Sequence, residues 1–151
     1  MLVFVFNNTD GVCVGSVNHN QLSDAELTIN SIAGLHSSNY LIVDSNSLPI
    51  EPIETWYIED GEIKIDQQKL IEFNRRNMPT LTPIEFDIKL NNAGLYDTVQ
   101  DLIKDKFELR IAYNRATFFS RTDPFIDQAR SALGLTDEQV DEMWTSNNLV
   151  S

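Results

Sequence analysis

The chain has 151 residues, 42% of them hydrophobic, which suffices to bury one good core or two small ones. Its 23 acidic and 11 basic residues give a net charge of −12, and nine Asp and Glu precede the first cation, Lys64. A stretch without Lys or Arg cannot displace counterions from phosphate, so the N-terminal half is expected to bind neither nucleic acid nor an anionic membrane.

The opening run Leu2-Val3-Phe4-Val5-Phe6 breaks at Asn7-Asn8 and lacks a basic flank, so it reads as a first strand and is too short for a signal peptide or a membrane span. With the turn Asn7-Asn8-Thr9-Asp10-Gly11 and the run Val12-Cys13-Val14-Gly15-Ser16-Val17 it predicts a β-hairpin. Tyr40-Leu41-Ile42-Val43-Asp44 predicts a further strand, and Thr55 to Glu59 and Glu62 to Asp66 around Asp60-Gly61 predict a second hairpin.

Helix starts are marked by one recurring signature. Leu22-Ser23-Asp24-Ala25-Glu26-Leu27, Leu81-Thr82-Pro83-Ile84-Glu85-Phe86 and Leu135-Thr136-Asp137-Glu138-Gln139-Val140 each place a hydroxyl N-cap three residues before Glu or Gln, between two apolar residues. That is a capping box inside a hydrophobic staple. Asp123-Pro124 predicts a fourth start, with the aspartate as cap and the proline at the first helical position. Gly94 and Gly134 stand where helices should stop. From Gln67 onward the spacing of Leu70, Phe73, Ile84, Ile88, Val99, Leu102, Ile103, Leu109, Ala112, Tyr113 and Ala116 is helical. The expected class is α+β, with a β-hairpin-rich domain over 1–76, a linker over 77–80 and a bundle of short α-helices over 81–151. No internal repeat stands out.

Few residues offer chemistry. Nucleophilic catalysis would need Cys13 beside His19 or His36, but Cys13 alternates with valines in a predicted strand, where an inert buried thiol is the commoner case, and both histidines fall in polar loops. One cysteine and two histidines supply neither an internal disulfide nor zinc-ligand spacing. Acid pairs such as Glu59 with Glu62, or Asp101 with Asp105, are explained by a charged surface, and no calcium-loop or phosphate-loop pattern is present. A helix-turn-helix reading of Gly134 to Val140 fails because Asp137, Glu138, Asp141 and Glu142 would repel phosphates. No catalytic residue, cofactor site or metal site is therefore expected.

The aromatics Phe107, Tyr113, Phe118, Phe119 and Phe125, with Trp144 near the end, read mainly as core of the helical half. One of the Phe118-Phe119 pair, or Trp144, is the alternative partner anchor, and Trp56 and Tyr57 in the second hairpin complete the candidate contacts. Arg110, Arg115, Arg121 and Arg130 read as ion-pair partners for neighbouring acids.

The block Leu109-Arg110-Ile111-Ala112-Tyr113-Asn114-Arg115-Ala116-Thr117-Phe118-Phe119-Ser120-Arg121-Thr122-Asp123-Pro124-Phe125, followed by Ala132 to Trp144, resembles the C-terminal helical region of small tail and tail-fibre-associated proteins of tailed bacteriophages. The hairpin Trp56-Tyr57-x-x-Asp60-Gly61 is similar to the front of related phage proteins. The resemblance implies a non-enzymatic protein built into the virion tail or tail fibre, made in the host cytoplasm, whose partners are other tail or fibre proteins or further copies of itself. It implies no cofactor. The alternatives are a tail-fibre assembly chaperone absent from the mature virion and an acidic inhibitor of a host factor.

Overall fold

The computed structural model describes residues 1–8, 11–16 and 40–146. The helix start expected at 22–27, together with His19 and His36, lies outside the described residues. The fold is α+β, with a sheet-rich region followed by a bundle of short helices. The chain divides into two compact units, Met1–Phe73 and Asn74–Ser151.

In the first unit, β1 (Leu2–Asn8), β2 (Gly11–Ser16) and β3 (Tyr40–Asp44) form an antiparallel sheet in the order β2-β1-β3. The apolar run of β1 suits its central place, where both edges are paired and Val3, Phe4 and Val5 are buried in succession on alternate faces. Val3 and Val5 are buried on one face; on the other Phe4 packs with Leu2, Phe6, Tyr40 and Ile42. Phe4 lies opposite Gly15 in the register. Its ring occupies the space a side chain would need there, for a Cβ on Gly15 would fall 2.1 Å from Phe4 Cζ. Gly15 is thus the residue that lets the ring lie flat on the sheet.

The second hairpin joins β4 (Trp56–Glu59) to β5 (Glu62–Ile65). Asp60 and Gly61 both take positive φ, 54° and 75°, the pair of left-handed residues a type I′ turn requires. Two 3₁₀ turns, Ser45–Ser47 and Ile53–Thr55, shape the connection between β3 and β4. Asp66 ends the hairpin and starts the next element, because its Oδ1 accepts the backbone N–H groups of Gln68 and Lys69 at 3.0 and 3.1 Å and so caps α1 (Gln67–Arg76).

The second unit contains five helices among the described residues: α2 (Pro83–Asn92), α3 (Tyr96–Asp105), α4 (Phe107–Arg115), α5 (Pro124–Ala132) and α6 (Asp137–Thr145). Both capping boxes expected here are formed, Thr82 with Glu85 on α2 and Thr136 with Gln139 on α6. Their staples close as well, since Leu81, Phe86 and Val140 are buried and Leu135 packs against the same core. At the other ends, Leu95 N–H donates to Leu90 C=O and Gly94 N–H to Asn91 C=O, while Leu135 and Gly134 do the same to Arg130 and Ser131. With Gly94 at φ 71° and Gly134 at φ 66°, α2 and α5 both end in a Schellman motif.

Three local expectations differ from what the structure shows. Asp123 precedes α5, with Pro124 in its first turn, but makes no side-chain cap. Its Oδ2 instead accepts the Ser120 N–H at 2.7 Å, because the tight turn from Ser120 to Asp123 brings that donor closer than the helix amides. Ile84 is 73% exposed; the inward stripe of α2 is Phe86, Lys89 and Leu90. Phe107 is also on the surface, at 64% exposure, because it opens α4 beyond the reach of the core.

The stretch 77–80 is engaged by the second unit. Met78 packs against its core, and the Pro79 carbonyl accepts the Trp144 indole N–H at 2.7 Å.

Candidate interaction surface

The helical unit is organised around Phe86. Its ring lies 4.3 Å from Phe119, 5.9 Å from Trp144, 6.4 Å from Tyr113 and 6.5 Å from Phe125, so residues from α2, α4, α5, α6 and the segment after α4 meet at one point. Phe119 arrives through backbone pairing, exchanging hydrogen bonds of 2.9 and 2.7 Å with Leu81. The Tyr113 hydroxyl donates to Asp87 and accepts from Gln100 Nε2 at 3.1 Å, tying three helices at the edge of the cluster. Burial, and then the hydrogen bond that holds the proton between the phenol and the Asp87 carboxylate, push this phenol above its ordinary value.

A polar cluster closes the same unit. The Arg121 side chain, only 5% exposed, places Nε 2.6 Å from Asp141 Oδ1 and Nη2 2.8 Å from Asp137 Oδ1. Arg75 reaches both Asp141 oxygens, with Nε at 2.9 Å and Nη2 at 2.8 Å from Oδ2. Arg130 links Asp127 at 2.7 Å to Asp137 at 3.4 Å and donates to the Leu135 carbonyl. The arginines hold Asp137 below the usual carboxylate range, the Arg121 hydrogen bond foremost. Lys89, buried on α2, donates to the Ser146 carbonyl at the end of α6, where the helix dipole favours a cation.

These contacts decide which candidate anchors are available to a partner. Phe119 and Trp144 are both 2% exposed and belong to the core of their unit. Trp56 is 7% exposed, with its indole N–H donating to the Glu51 carbonyl at 2.8 Å. Tyr57 and Phe118, at 38% and 57%, face solvent. The alternation of extended backbone accounts for both splits, since the neighbour of an inward Trp56 or Phe119 must point outward. No family, curated protein or solved structure matches this chain.

Further apolar side chains lie on the surface beside those two. Ile50 is 99% exposed and Ile53 41% in the first unit; Ile84 and Phe107 are exposed in the second. Phe107 borders a cleft of about 710 Å³ between the start of α4 and α5, lined also by Lys106, Glu108, Asp127, Gln128 and Ser131. One face of its ring carries the Arg110 guanidinium, 5.3 Å from the centroid.

The remaining acids expected as surface are placed there. Glu59 and Glu62 oppose each other across the hairpin, with Lys64 Nζ 2.6 Å from Glu59, and Asp101 takes Lys104 at 3.0 Å. Cys13 sits half-buried in β2 opposite Phe6. Among the described residues no group of three or more His, Cys, Asp and Glu could hold a metal ion, and no helix is long and apolar enough to cross a membrane.

Proposed function

We propose that this chain is a non-enzymatic interaction protein of a bacteriophage tail, built into the virion through contacts with other tail or fibre proteins. The tail setting rests on the resemblance of 109–144 to small tail-associated proteins. The observation that supports an interaction role is the presence of apolar side chains held out to solvent by ordered backbone: Ile50, Tyr57 and Phe118 each adjoin residues locked by hydrogen bonds or strand pairing. Large exposed apolar groups on fixed backbone are what protein interfaces use as anchors.

Mass spectrometry of purified particles tests this reading, with the chain quantified against a tail protein of known copy number. A fixed ratio supports a virion component. Absence from particles, with a complex between the chain and a tail or fibre protein in infected cells, replaces it with the assembly chaperone. Absence from both overturns the tail reading.

A further inference from the structure

We infer that the loop from Leu48 to Thr55 is a preformed docking knob that seats Ile50 in an apolar, basic-rimmed pocket of a partner protein. The inference rests on the interaction role proposed above and adds its contact point and the chemistry of its partner.

A single exposed isoleucine is ordinary; its support here is not. Pro49 and Pro52 flank Ile50 and Glu51, and backbone angles on both sides are those of polyproline II, −68° and 144° at Leu48, −59° and 136° at Pro52. Three successive carbonyls that follow are used. Glu51 C=O accepts the Trp56 indole N–H, Pro52 C=O accepts the Thr55 N–H at 2.8 Å and hydroxyl at 2.6 Å, and Ile53 C=O accepts the Trp56 N–H. Thr55 and Trp56 are themselves buried, so the loop is pinned to the core of its unit on one side while Ile50 is 99% exposed on the other. Because the loop is already ordered, seating Ile50 in a pocket costs little conformational entropy.

Charge identifies the partner. The sequence of this unit contains eleven Asp and Glu against Lys64 and Lys69. Glu54, Glu59, Asp60 and Glu62 are exposed on the 3₁₀ turn and hairpin that follow the knob. A complementary rim is therefore rich in Lys and Arg, and it steers approach as well as fixing register.

The test uses the full chain with p-benzoylphenylalanine in place of Ile50, or of exposed Gln68 on α1 as a control, expressed during infection and photolysed. The expected product joins position 50 to one tail or fibre protein at an apolar site bordered by Lys or Arg. With that protein purified, Ile50→Asp should weaken binding by about thirtyfold or more while the circular dichroism spectrum is unchanged, and Ile50→Leu should bind nearly as wild type. Raising NaCl from about 50 to about 500 mM should weaken the complex. If a complex forms but cross-links only from position 68, or if Ile50→Asp binds as tightly as wild type, the knob is overturned and the interaction role stands. Cross-linking to lipid overturns the protein partner. If no complex forms at all, both readings fall.

Discussion

Truncating Asp141 and truncating Arg121 remove opposite ends of one buried contact, and the structure assigns them unequal costs. Asp141→Ala leaves Arg75 without its carboxylate and the nearly inaccessible Nε of Arg121 without an acceptor. Removing one partner of a buried ion pair costs about 3–5 kcal/mol. Because the Asp141 side chain is 22% exposed and Asp137 still holds Arg121, the low end applies, about 3 kcal/mol. Arg121→Met takes the buried charge away and leaves Asp141 with Arg75 and Asp137 with Arg130, so it should cost about 1 kcal/mol or less. The chain has two tryptophans, and in a Trp56→Phe background the fluorescence of buried Trp144 follows the helical unit during urea or thermal unfolding. At about 4–8 °C per kcal/mol for a unit of this size, Asp141→Ala should lower the midpoint by about 12 °C or more. The reverse order of costs, or a loss below about 1 kcal/mol for Asp141→Ala, would refute the assignment of Asp141 as the hub.

The same cluster should give the helical unit an acid limit. Asp137 is depressed below its ordinary 3.8, so its contribution is present above that value and lost as pH falls through the folded value; Asp137→Asn should flatten the acid limb of a stability profile measured by Trp144 fluorescence. Thr136→Ala removes the hydroxyl that accepts the Gln139 N–H at 3.2 Å and should cost about 1 kcal/mol in urea unfolding, with Thr136→Ser close to wild type. Gly15→Val must displace the Phe4 ring and should cost the first unit about 1–3 kcal/mol, seen as faster hydrogen exchange of the β1 amides. Unchanged exchange would mean that the ring moves freely.

What was legible in the sequence was local. The Asp60-Gly61 turn, the two capping boxes and the glycine stops at 94 and 134 each depend on a few adjacent residues, and all appear where the pattern places them. The hubs were not legible. Phe86 reads from sequence as the inner half of a staple, and nothing near it announces that rings from four other segments converge there. Arg121 draws on Asp137 and Asp141, and Asp141 on Arg75 at a separation of 66 residues, so no short spacing encodes the cluster. Lys89 would be assigned to solvent by its type, yet is buried because its amine completes the end of α6. Among the candidate anchors, the aromatic pairs Trp56-Tyr57 and Phe118-Phe119 promise one inward and one outward side chain, but only the pairing of Trp56 with Ile65 and Phe119 with Leu81 settles which is which.

The helices of the second unit are nine or ten residues long, below the length at which an isolated helix is stable in water. Their persistence must come from ends and contacts, and the ends follow a common plan. In both α2–α3 and α5–α6 a glycine in the left-handed region stops the first helix, the leucine after it donates back five residues and packs half-buried against the core, and the next helix begins within two residues. One turn design, used twice, therefore reverses the chain while packing an apolar side chain of the turn itself against the core. It resolves the problem of a small unit, where surface is large relative to volume, by making connections contribute to the core. Substituting Leu95 or Leu135 should then behave as a core truncation, not as a loop change, which separates this arrangement from helices joined by passive linkers.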